Sequence, residues 1–88
     1  MRMDERIRTR LTEALAPAAL EIVDESALHA GHSGARAGGE THYRVVVTAH
    51  AFAGKTRVQR HRLVYAALAA EFADGVHALS LDARAPGE

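Results

Sequence analysis

The chain has 88 residues, 48% hydrophobic and 25% charged, with a formal net charge of zero. That length holds one domain with a modest core, and the charge balance argues against a domain that coats nucleic acid through bulk electrostatics. The lack of cysteine excludes disulfides, thiolate ligands and thiol nucleophiles from this sequence.

The opening MRMDERIRTRL is charged, without the pattern of a secretory signal, and no run approaches about 18 apolar residues, so the sequence predicts a cytoplasmic protein. MDERIRTRLTEALAP reads as a helix: Met3, Ile7, Leu11 and Leu15 recur every fourth residue and form one apolar stripe. Asp4 is expected to cap its start and Pro17 to stop it. ALEIVDES then reads as a short strand centred on Ile22 and Val23.

Residues 27–40 follow as a long, flexible, glycine-rich loop carrying His29 and His32. Fourteen residues is far more than a hairpin needs, and connections of that length are usually functional or disordered. THYRVVVTAH is the clearest strand, with Tyr43, Val45 and Val47 alternating against His42, Arg44 and Thr48. AFAGK makes a turn around Gly54, and Thr56 is a plausible N-cap for a helix over RVQRHRLVYAALAAEF. Val58, His61, Val64, Tyr65, Leu68 and Phe72 share one stripe of that helix, which makes His61 a packed, hydrogen-bonded core histidine. Asp74-Gly75 ends the helix and VHALSLDA is a third strand, with His77, Leu79 and Leu81 on one face. Residues 84–88, RAPGE, read as a frayed tail. The whole is a single α+β domain over residues 1–88, a three-stranded sheet covered by helices on one face.

The second and third strands are joined by a helix, so they should run parallel if they share a sheet. Parallel strands start at the same end. His77 should therefore lie at the edge where the loop carrying His29 and His32 finishes. Lys55, Arg57, Arg60 and Arg62 form a local basic cluster, either a solvated helix face or a phosphate-binding site near a helix start. His42, at the start of its strand, reads as structural. No nucleophile–base–carboxylate arrangement or dinucleotide fingerprint stands out, so an enzyme is not expected. A zinc site from His29, His32 and His42 fits on ligand type alone, though structural zinc sites favour cysteine and closer pairs.

Together, ETHYRVVV, FAGKTRVQRHRLVYAAL, GVHALSL and LEIVDES resemble the BolA family, from about Glu5 to Ala83. The resemblance implies an α-β-β-α-α-β fold with a mixed sheet, like a class II KH domain. It also implies partnership with a monothiol glutaredoxin, the pair binding a [2Fe–2S] cluster together with glutathione, in iron–sulfur trafficking or iron sensing. A second implied activity is binding to duplex DNA as a transcriptional regulator of stress response and cell shape. The family's strand-start histidine ligand matches His77. Its variable loop ligand matches His29 better than His32, with His42, beside the partner strand's start, a third possibility whose strand position looks structural. The single-strand clamp of KH domains uses a G-x-x-G loop, whereas FAGKTR lacks the second glycine. The isolated chain is expected to carry no cofactor, with no membrane or small-molecule substrate as partner.

Overall fold

The computed structural model describes residues 2–25 and 42–88. The loop at 27–40, with His29 and His32, lies outside the described residues. Helix α1 spans Met3–Leu15, strand β1 Ala19–Asp24 and strand β2 His42–Thr48. A 3-10 turn at His50–Phe52 leads to helix α2 at Arg57–Ala67, helix α3 at Ala69–Ala73 and strand β3 at Ala78–Arg84.

The four-residue spacing in α1 works as read: Met3, Ile7 and Leu11 are buried and Leu15 packs on the core. Burying an aliphatic side chain of that size stabilises the fold by roughly 1.5–3 kcal/mol. Asp4 does not cap the helix. The capping position falls on Arg2, and Asp4 sits in the first turn, accepting from the Glu5 amide at 2.9 Å. A carboxylate there still suits the positive end of the helix dipole. At the other end Ala16 adopts a left-handed conformation at φ 44°, immediately before Pro17. Proline disfavours the α-helical region for the residue before it, so the helix stops there.

The sheet has the order β1-β2-β3, with β1 antiparallel to β2 and β2 parallel to β3. This is the mixed topology expected from the helical crossover. Ile22 pairs with Val45 and Val45 with Leu81, so the apolar residues of the three strands align in rows on one face. Tyr43, Val45 and Val47 are buried on that face, with Ile7 and Leu11 of α1, Phe52, and Val64 and Leu68 of the second helical segment completing the core.

Gly54 takes φ 73°, the conformation that favours glycine, and turns the chain after Phe52. Thr56 then caps α2 as expected: its hydroxyl accepts from the Gln59 amide at 3.2 Å, and the Gln59 side chain accepts from the Thr56 amide at 2.8 Å. The helix expected to run through residue 72 is broken at Leu68, whose φ of −101° and ψ of 16° separate α2 from α3. YAALAA contains no glycine or proline, so nothing local announces the break. Beyond it, Glu71 is fully buried and its carboxylate accepts from Arg6 at 2.9 and 3.2 Å and from Arg10 at 3.4 Å. The break thus lets α3 lock onto α1.

The tail is not frayed. Ala85 is buried, and Glu88 forms a two-pronged ion pair with Arg60, at 2.5 and 2.7 Å, and accepts from the Ala85 amide at 3.1 Å. The composition of RAPGE carries no sign of this long-range contact.

Candidate functional site

Two surfaces emerge, at opposite ends of β3. The first is the rim where β2 and β3 start. Asp74 accepts from Arg6 at 2.7 Å, and the Val76 amide donates to the Glu71 carbonyl at 3.1 Å, which closes the turn after α3. Val76 is buried and anchors the chain, so the next residue, His77, turns outward. His77 precedes β3 and is exposed; it is not the first inward-facing residue of the strand. The sequence pattern starts the strand at residue 76, two residues before β3 begins.

The register pairs His42 with Ala78, which places His42 beside His77. Their imidazole centroids lie 5.1 Å apart with ring planes tilted by 50°. The sequence admits His42 only as a third possible ligand, after His29 and His32, because its position within a strand looks structural. The signal that could have found the pair was already present: parallel strands starting at 42 and 78 must bring their first residues together. The described residues include no group of three or more histidine, aspartate or glutamate side chains that could hold a metal ion. His29 and His32, the expected loop ligands, lie outside the described residues.

The second surface is a cleft of about 570 Å³ between the start of α2 and the far half of β3, lined by Lys55, Arg57, Arg60, His61, Leu81 and Asp82 among others. At about 3.3 Å per residue, Leu81 lies roughly 13 Å along β3 from His77. The four basic residues of the sequence reading are not equivalent here. Arg60 is mostly buried and committed: it donates to the carbonyls of Lys55 and Ala83 and binds Glu88. That bond, with the Ala85 amide, holds the Glu88 carboxyl down at about 2. Arg57 is exposed and its field helps Arg84, the main cause, keep the Asp82 carboxyl below the usual carboxylate range. Among the described residues, Lys55 and Arg62 are exposed and have no ion pair.

His61 is half-buried at the edge of this cleft and stacks on Tyr65, with ring centroids 6.3 Å apart and planes within 6°. It is not the hydrogen-bonded core histidine expected. The apolar stripe of α2 is wider than the core it meets. Val64 and Leu68 fill the core, while Val58 and Tyr65 remain 57% and 41% exposed. Tyr65 also stacks on Phe72, at 4.9 Å, and its hydroxyl donates to the Leu79 carbonyl at 3.4 Å. An aromatic and basic face thus runs along α2.

The fold and the resemblance of the sequence agree with comparisons to known proteins. The family profile described as BolA-like protein matches residues 11–88. Human BolA-like protein 1 is 48% identical over 86 residues, covering 98% of this chain and 60% of that protein. The DNA-binding transcriptional regulator BolA of Escherichia coli K12 is 42% identical over 81 residues, covering 92% of this chain and 73% of the regulator. The solved structure of BolA1 from Arabidopsis thaliana superposes with a TM-score of 0.87 at 38% identity, covering 100% of this chain and 96% of that one. The chain belongs to the BolA family. It spans only about 60% of the length of the human relative. These relatives bear the names of BolA-like proteins or a regulator, none that of an enzyme. No helix among the described residues is long and apolar enough to cross a membrane.

Proposed function

We propose that this protein is a non-enzymatic, cytoplasmic accessory factor that pairs with a monothiol glutaredoxin to hold a [2Fe–2S] cluster for iron–sulfur trafficking or iron sensing. The observation that carries the reading is the exposed imidazole of His77, set at the sheet rim by the buried Val76 before it. Cluster iron accepts imidazole in place of thiolate, with a rise in reduction potential. The donor set fits half a site: this sequence offers histidines and no cysteine, so the thiolates come from the glutaredoxin and its glutathione. His77 is the principal ligand, and His29, with His32 as the alternative, the second. The exposed Val58, Tyr65, Arg57 and Arg62 on α2 offer an apolar and cationic face to a partner carrying anionic glutathione.

The experiment mixes this chain with glutathione-loaded glutaredoxin and an iron–sulfur source, and compares visible absorption for the wild type and His77→Ala. The wild type should give a cluster spectrum distinct from that of glutaredoxin alone, and the variant should lose that difference. An identical spectrum and cluster lifetime for the variant would remove His77 from the site.

A second reading is favoured by one relative and one surface. The E. coli relative is named a DNA-binding transcriptional regulator, and Lys55, Arg57 and Arg62 of this chain are exposed cations around the start of α2. Duplex binding through these residues is compatible with cluster binding at the other end of β3.

A further inference from the structure

We infer that His42 and His77 form a two-imidazole chelate for a single late first-row divalent cation, independent of glutaredoxin, thiolate or iron. An imidazole nitrogen sits about 2.0–2.1 Å from a bound zinc ion. Two such rings on a tetrahedral ion have centroids about 5 Å apart by the same geometry. The observed separation is 5.1 Å, with the rings tilted by 50°.

Both residues come from backbone that is fixed independently of any metal. His42 opens β2 opposite Ala78 in the parallel ladder. His77 follows the buried Val76, whose amide is tied to the Glu71 carbonyl. The pair is therefore presented on backbone already set by the sheet and the turn. His77 is exposed and His42 half-buried, so the ion enters from solvent.

Imidazole donors select zinc, nickel and copper over magnesium and calcium, which prefer oxygen. Two protein ligands leave coordination positions for water or for a donor from another molecule. The chemistry is that of an open site and not of a closed structural one, which uses four protein ligands. Because His77 belongs both to this chelate and to the proposed cluster site, a divalent ion and a cluster compete for it.

The test uses the full chain and the metal alone. Zinc is titrated into the protein while the long-range imidazole ¹H–¹⁵N signals are followed, with magnesium as the control ion. The His42 and His77 rings should shift together and saturate at one equivalent, and magnesium should move neither. In calorimetry, His42→Gln and His77→Gln should each weaken zinc binding at least about tenfold, while His50→Gln binds as the wild type. Zinc that leaves the two rings unmoved would overturn the inference. So would wild-type affinity in folded His42→Gln, or loss of binding in a His29→Gln/His32→Gln variant with the two rings unaffected. If a single variant fails to fold, the ring shifts in the wild type decide the matter. None of these readouts involves a cluster or a glutaredoxin, so failure here leaves the function proposed above standing, and the reverse also holds.

Discussion

Glu71 is the buried charged residue of the described core, and its partners are unequal to it: the Arg6 and Arg10 side chains are 27% and 50% exposed, whereas Glu71 is 0% exposed. One of its oxygens, Oε2, takes all three bonds from the arginines, while the other, Oε1, is buried with no hydrogen-bond partner among the described residues. Desolvation therefore falls mainly on the carboxylate, and the arginines can turn to water if it is lost. Replacing it by an apolar side chain of similar length, Glu71→Met, should leave stability within about 1 kcal/mol of the wild type. Arg6→Met strands the carboxylate with only Arg10 and should lower the melting temperature by clearly more. Thermal denaturation of both variants checks the order, and a larger loss for Glu71→Met would show that the ion pair outweighs the desolvation. Nothing in AALAAEFADG distinguishes Glu71 from a surface charge, because its burial depends on α1, some sixty residues earlier. The alternation of Tyr43, Val45 and Val47, by contrast, needed no distant information, and it was legible directly.

At the scale of elements, local signals succeeded where the cause is local. The Thr56 capping box, the turn at Gly54 and the stop before Pro17 all follow from the residues at those positions. The break at Leu68 and the anchored tail follow from long-range contacts and left no trace in periodicity. The tail contact has a consequence in acid. Its carboxylate, Glu88, titrates at about 2 in the fold against an ordinary value of 4.5, depressed by the Arg60 bond and then by the Ala85 amide. A depressed carboxylate stabilises the fold fully above its unfolded value and loses that contribution as pH falls through the folded one. The melting-temperature difference between the wild type and Glu88→Gln should therefore be constant from neutral pH to about 5, shrink through the acid range and vanish only below about pH 2. A Glu88→Gln variant that melts with the wild type already at neutral pH would mean that the tail is held by packing of Ala85 and not by the ion pair.

For the whole molecule, a formal charge of zero means that any grip on DNA must be local. Lys55, Arg57 and Arg62 are the exposed members of the basic cluster, so the slope of log affinity against log salt should be no steeper than about −3. Arg62→Ala should reduce it by about 1, whereas Arg60→Ala should destabilise the fold, since its guanidinium is already engaged. Absence of any gel shift on duplex DNA at low salt would remove the DNA-binding reading. The place of the other site was legible for a topological reason: a helical crossover makes β2 and β3 parallel, and parallel strands begin together. Its membership was not. Strand order places His77 at this rim and admits His42 beside it only as a third possible ligand, whereas period-two alternation fails for His77 because it stands exposed ahead of the strand.

Two bonds that hold α2 on the sheet also bear on how the protein behaves at high concentration. β3 is an outer strand, and outer strands are templates on which a second chain can grow. The Tyr65 hydroxyl and the Arg60 guanidinium donate to the β3 carbonyls of Leu79 and Ala83, while Asp82 and Arg84 place opposite charges on the same strand. The helix thus blunts that strand's edge with its own side chains, and the domain has a built-in defence against sheet-to-sheet aggregation.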